Sequence, residues 1–190
     1  SYVDISIFRV KLSDIIKGKN TLELTYAYGE KTDIESVFIL GDFGVKVTGT
    51  EKTVIAMPEK IGFGDITRQG FPFYGDNITY KFKAVAENGK FDICASWYRG
   101  AMISVKVDGD EKGNIIYPPY ILGVDGLSDG EHDVEMTLYT HRYNTFGPLH
   151  LVNEAEPWHG PDAWRSKKCN WSNEYVLRRV GILTAPKINN

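Results

Sequence analysis

Apolar and polar residues alternate with period two along most of this chain, and no other feature constrains the fold as strongly. Ile5 and Ile7 open one such run, which continues toward Val10 and Leu12. Leu22, Leu24, Tyr26 and Tyr28 alternate with Glu23, Thr25 and Ala27. The same pattern recurs at Ile78, Tyr80, Phe82 and Ala84, and at Phe91, Ile93, Ala95 and Trp97. It returns at Ala101, Ile103, Val105 and Val107, closed by the turn Asp108-Gly109, and at His132, Val134, Met136 and Leu138. Shorter strands are expected over 53–57, stopped by Pro58, and over 175–183 as the last of the series. Residues 37–47 form a long apolar run in which Gly41 and Gly44 predict a bend or bulge between two strands. Helix is nearly absent from the pattern: only residues 13–18 read as one capped turn, stopped by Gly18. Short strands at roughly 8–12-residue spacing with Gly and Asn turns predict an all-β antiparallel sandwich or jelly roll with little helix.

Length and charge narrow the function. The chain has 190 residues, 42% hydrophobic and 25% charged, with no linker or low-complexity run, so one sandwich domain over residues 1–190 is expected. A chain of this size buries roughly 70% of its unfolded surface and needs no disulfide or metal to hold it. Its 22 Lys and Arg against 25 Asp and Glu leave a net charge of -3, which supplies no broad positive field for nucleic acid. No stretch approaches the ~20 apolar residues of a membrane span. The opening Ser1-Tyr2-Val3-Asp4-Ile5 carries neither an initiator Met nor a signal peptide, and the chain is expected to be a piece of a larger multidomain protein. Two cysteines, Cys94 and Cys169, could form one bridge; as free thiols they lean toward a reducing, cytoplasmic setting.

Three motifs invite chemistry and are better read as turns or spacing. Gly126-Leu127-Ser128-Asp129-Gly130 matches G-x-S-x-G, but that nucleophile elbow must lead into a helix, whereas residues 131–139 alternate as a strand. Asp108 to Gly113 resembles a calcium loop, yet Lys112 stands at the fifth position and Pro119 where the bidentate Glu belongs. The histidines, His132, His141, His150 and His159, are spaced nine residues apart, without the close pairs of a zinc motif. No phosphate-binding or dinucleotide loop is present, so no cofactor, metal or catalytic residue is assigned.

Aromatic residues reach 13%, and they gather where strands give way to irregular chain. Residues 58–76 and 144–173 resist strand assignment, and such segments either carry function or pack over a core edge. Within the second, Trp158 and Trp164 offer stacking faces for a sugar ring, while His159, Asp162 and Arg165 offer directional contacts to hydroxyls. Tyr98 and Arg99 could contribute from the neighbouring strand region. The competing reading is that these aromatics close the sandwich edge or meet a neighbouring domain.

Several phrases, taken in order, carry a resemblance. Gly18-Lys19-Asn20-Thr21-Leu22-Glu23-Leu24 resembles the opening of a strand in family-2-type sugar-binding domains of glycoside hydrolases. Leu40-Gly41-Asp42-Phe43-Gly44 is similar to a stretch of such modules, as is the hairpin from Val107-Asp108-Gly109 through Ile116-Tyr117-Pro118-Pro119-Tyr120. Gly130-Glu131-His132-Asp133-Val134-Glu135 and Asn144-Thr145-Phe146-Gly147-Pro148-Leu149-His150 complete the order, over roughly residues 15–150. The resemblance implies a galactose-binding-like jelly roll, a C-terminal accessory domain of a bacterial glycoside hydrolase whose catalytic acids lie in a separate barrel domain of the same polypeptide.

The function expected is therefore a noncatalytic accessory domain of a carbohydrate-active enzyme, binding a carbohydrate ligand weakly, bracing the catalytic domain, or both. A self-contained sandwich glycosidase is the alternative, with Asp42, Glu154, Glu156, Asp162 and Glu174 as candidate carboxylates; it needs two of them about 5–9 Å apart. A protein-interaction domain is the third reading, favoured by a flat apolar patch larger than ~400 Å².

Overall fold

The computed structural model describes residues 5, 7–30, 32, 37–152 and 168–190, which fall into two compact units, Ser1–Leu40 and Gly41–Asn190. All the regular structure among the described residues belongs to the second unit. Eleven strands form there, every pair antiparallel, with a single four-residue α-helix. They are β1 (Gly44–Thr48), β2 (Glu51–Ile55), β3 (Ile78–Ala86), β4 (Phe91–Cys94), β5 (Tyr98–Arg99) and β6 (Met102–Val107), then β7 (Asp110–Ile115), β8 (Ile121–Val124), β9 (Gly130–Tyr139), β10 (Gly181–Ile182) and β11 (Lys187–Asn189). The helix α1 (Tyr143–Phe146) and two 3-10 turns (Ile66–Arg68 and Lys168–Asn170) complete the elements. The chain is an all-β antiparallel sandwich.

Two sheets make its layers. One has four strands in the order β3-β9-β6-β7, and the other has three in the order β11-β4-β8. The register of β3 on β9 runs from Ile78 opposite Leu138 to Ala86 opposite Gly130, so one face collects Ile78, Tyr80, Ala84, Val134, Met136 and Leu138. A slip of one residue would turn that whole set to water, which is why the alternation specifies the register. The opposite face carries Lys81 against Glu135, Lys83 against Glu131, and a 2.9 Å hydrogen bond between the Thr79 and Thr137 hydroxyls. Phe91, Ile93 and Val124 close the core from the second sheet. Each fully buried side chain of this size contributes about 1.5–3 kcal/mol relative to exposure.

The hairpins follow from turn chemistry. Asn88 with Gly89, and Asp108 with Gly109, all have positive φ, the backbone that two-residue hairpins with the right strand twist require. In β7, the pairing of β6 skips Lys112, with Val105 opposite Gly113 and Lys106 opposite Glu111, a bulge that sequence alternation alone does not reveal.

Several expected strands do not form. Residues 7–12 and 22–28 alternate, yet have no ladder partner among the described residues. Period two sets which side chains share a face, whereas a strand also needs a neighbour for its N–H and C=O groups. Residues 13–18 are not helical: Asp14 has φ 60°, and the Asn20 side chain accepts from Ile16 N at 3.0 Å and donates to Ile16 O at 2.9 Å. The Asx side chain takes the groups that a helical turn would have used. The last expected strand, 175–183, shrinks to Gly181–Ile182, and β11 follows it unforeseen.

The irregular stretch 58–76 packs over a core edge. Ile66 is fully buried, with Ile61, Phe63 and Phe71 against the same core. Gly64 N donates to Ile182 O at 2.7 Å and Ile66 N to Val180 O at 2.9 Å, so this loop lies along residues 180–182. Asp65 holds its shape, capping the 3-10 turn by accepting from Thr67 N at 3.1 Å.

Candidate functional site

The alternation starting at Phe91 changes phase at the end of β4. Phe91, Ile93 and Ala95 are buried as expected, but Trp97 is not: it is 47% exposed, and Tyr98 turns inward in its place. The cause is a change of partner. Strand β4 pairs with β8 and β11, whereas β5 pairs with β10, Arg99 lying opposite Gly181 and Tyr98 opposite Ile182. Leu183 N donates to Trp97 O at 2.9 Å, fixing the backbone beneath the exposed indole. Tyr98 lies against the core, edge-on to Tyr120, with its hydroxyl 3.3 Å from Ile115 O and 3.4 Å from Ile116 O.

Beside Trp97, at the end of the four-stranded sheet, Arg99, His141, Tyr143, Leu177, Arg178 and Arg179 line a cleft of ≈ 420 Å³. That volume falls within the usual range for small-ligand sites. Its walls come from the residues after β9 and from the chain leading into β10. The buried Asn144 ties the two together: its Nδ2 donates to Arg178 O at 2.7 Å, and its Oδ1 accepts from Arg178 N at 2.8 Å. At the next backbone position after Arg178, Arg179 O accepts from His141 Nε2 at 3.3 Å. The Arg178 guanidinium stands 5.0 Å from the Tyr143 ring centroid, and that of Arg179 5.9 Å from the Trp97 centroid. Among the described residues no carboxylate lines the cleft.

The pairing of these two segments continues away from the cleft. Val176 N donates to Leu149 O at 2.7 Å, and Val152 N to Asn170 O at 2.9 Å, with Leu151 bridged to Trp171. Trp171 is exposed there, stacked on His150 at 4.6 Å, and Tyr175 borders the same histidine at 4.9 Å. Of the residues singled out from sequence, Trp158, His159, Asp162, Trp164 and Arg165 lie outside the described residues, as do Glu154 and Glu156. Arg99 lines the cleft and Tyr98 lies behind it. Sequence reasoning missed Trp97, His141, Tyr143, Arg178 and Arg179. The signal available was the Arg178-Arg179 pair interrupting an otherwise apolar run.

The motif at Ser128 takes a structural part. Gly126 and Gly130 have positive φ, Gly130 opens β9, and His132 directs Nε2 to the Ser128 carbonyl oxygen at 2.8 Å. Its Nδ1 lies 2.6 Å from Asp108 Oδ2, so both ring nitrogens face acceptors, an arrangement that favours the imidazolium. The Asp108 hydrogen bond, then that to Ser128, pushes the His132 pKa up; hydrogen bonds from His132 and from Asp133 N hold Asp108 down. Among the described residues no three His, Cys, Asp or Glu are grouped to hold a metal, and Cys94 and Cys169 are free thiols.

No family model matches the sequence, and no curated protein matches it. Solved structures do. A rhamnosidase from Novosphingobium sp. PP1Y is similar over 77% of this chain and 14% of its own, at TM-score 0.43 and 13% identity. A GH2 beta-galacturonidase from Eisenbergiella tayi, bound to glycerol, is similar over 62% of this chain and 20% of its own, at TM-score 0.36 and 21% identity. The same enzyme bound to galacturonate gives TM-score 0.36 and 23% identity over 62% of this chain and 21% of its own. This chain therefore spans about a fifth or less of the length of those chains.

Proposed function

We propose that this chain is a noncatalytic accessory domain of a glycoside hydrolase, a single galactose-binding-like jelly roll that holds a glycan weakly. The observation that carries the reading is the cleft of Arg99, His141 and Arg178–Arg179 beside the exposed Trp97. An indole face takes the apolar side of a sugar ring while fixed N–H donors take its hydroxyls, and both kinds of group stand together on a braced backbone. Hydrolysis of a glycoside needs two carboxyl groups across one subsite, whereas the described lining of the cleft consists of arginine, histidine, tyrosine and leucine side chains suited to binding. Trp158, His159, Asp162, Trp164 and Arg165, which lie outside the described residues, belong to the same proposal as a second set of sugar contacts. The ordered turn phrases shared with sugar-binding domains support a place beside a catalytic domain of the same polypeptide.

A bracing role has its own support. In the Ser1–Leu40 unit, Phe8, Val10, Leu22, Leu24 and Tyr26 are exposed. Apolar side chains in alternation suit a surface that meets another domain.

A single shallow site carries the whole cost of association, so affinity is expected at about 0.1–1 mM. Titration of a glycan panel against the wild type, Trp97→Ala, Trp158→Ala and Trp164→Ala, with melting followed in parallel, tests the reading. Loss of binding in a variant that keeps its melting temperature supports it. Binding unchanged in all three folded variants puts the site elsewhere.

A further inference from the structure

We propose that the cleft selects an acidic saccharide, one bearing a carboxylate or sulfate, and seats the anion between the guanidinium groups of Arg99 and Arg179. This deepens the glycan-binding reading and rests on it.

The local charge is the first argument. Among the described residues, three of the six that line the cleft are arginines and none of the six is acidic, in a chain whose net charge is -3. Among the described residues, positive charge is thus concentrated at one small surface against the average of the molecule.

The second argument is what the arginines do. None of the ion pairs among the described residues uses Arg99 or Arg179. Arg99 Nη1 donates to the Tyr98 carbonyl at 3.1 Å, and Arg179 stands over Trp97. A guanidinium has five N–H donors in a planar fork that matches a carboxylate or sulfate two bonds at a time. Sugar hydroxyls alone would leave this capacity for charge largely unused.

The third argument is preorganisation. The backbone of Arg99 is held by its pairing with Gly181, that of Arg178 by Asn144, and that of Arg179 by His141, so the main chain that carries the three arginines is set before any ligand arrives. Gly100 lets the chain after Arg99 run tight along β9, since a Cβ there would stand 2.6 Å from Tyr139 O. Trp97 beside the wall adds a face for a pyranose ring, which a site for a bare inorganic anion would not require.

The test is calorimetric titration of the full chain with uronic-acid oligosaccharides of gluco, galacto and manno configuration. The same oligosaccharides after reduction of the carboxyl to an alcohol, sulfated versions of the reduced forms, and sodium sulfate complete the set. At least one acidic oligosaccharide is expected to bind about tenfold or more tighter than its reduced counterpart, and to weaken as salt is added. Whichever of the uronate and sulfated arms shows this identifies the anion. Arg99→Ala and Arg179→Ala are each expected to weaken acidic ligands about tenfold while leaving reduced ones within about twofold. Arg179→Glu, at an exposed position, repeats the test by charge reversal if an alanine variant melts early. Trp97→Ala is expected to weaken acidic and reduced ligands together. Reduced oligosaccharides that bind as tightly as the acids overturn the proposal and leave glycan binding standing. Sodium sulfate binding as tightly as the sulfated sugars overturns it too, and no binding by any oligosaccharide overturns both readings.

Discussion

His132 is buried to 7% exposure on the sheet face that should be apolar, and it is tolerated because Asp108 and Ser128 accept from both of its ring nitrogens. Its raised pKa makes stability depend on pH in a defined direction. The folded state holds the proton more tightly, so the contribution is complete below the unfolded value of about 6.5 and is lost as pH rises through the folded value. Asp108 behaves oppositely: its lowered pKa gives stability above about pH 3.8 that is lost as pH falls through the folded value. Urea midpoints are therefore expected to fall from pH 6 toward alkaline pH in the wild type. In His132→Asn that decline should flatten. Asn144 carries a different kind of weight, since its amide serves both backbone groups of Arg178. Asn144→Ala removes both hydrogen bonds to the part-buried backbone of Arg178 and is expected to cost about 2 kcal/mol in denaturation. The same variant should loosen the cleft and weaken glycan binding.

Among the elements, β9 has the greatest structural reach, because it is the longest strand, 10 residues, and is paired on both edges, with β3 and with β6. Met136 at its centre is wholly buried, and Met136→Ala is expected to destabilise by about 2–5 kcal/mol, read as a lower denaturant midpoint. Strand β10 depends on close approach instead. Gly181 has φ 129°, and a Cβ there would lie 2.3 Å from Gly64 O, the carbonyl of a loop residue bound to Ile182. Gly181→Ala is expected to cost on the order of 3 kcal/mol, from backbone strain together with the clash. Because Gly181 pairs with Arg99, this variant should also lose binding, whereas Met136→Ala should retain it in the folded fraction. The alternation made β3, β6 and β9 legible, since each has one buried face. It could not announce β5, where the phase shifts by one residue between Ala95 and Tyr98 as the chain moves from one sheet to another.

For the whole chain, the buried apolar residues among those described all belong to Gly41–Asn190, from Ile66 to Ile182. The sandwich thus has its own core, and a chain beginning at Gly41 is expected to unfold in one cooperative transition. Its melting temperature should lie within about 5 °C of the full chain, a shift of the size that about 1 kcal/mol produces. A shortened chain that fails to fold would show that residues 1–40 complete the core. Removal of those residues should also lower binding of a hydrophobic dye, since Phe8, Val10, Leu22 and Leu24 are exposed.

The all-β class, the near absence of helix, the strands around residues 78–86, 102–107 and 130–139 and the Asp108-Gly109 hairpin could all be read from residue order. They are local properties: a half-buried strand declares its period in its own side chains, and a turn with positive φ declares itself by Asn, Asp or Gly. The cleft could not be read in the same way. It joins Arg99, His141 and Arg179, which are distant in sequence, and it exists because β5 chose β10 as partner and Asn144 clipped the returning chain. The absence of strands at 7–12 and 22–28 has the same origin, for a ladder is a property of two segments, and alternation within one of them cannot specify the other.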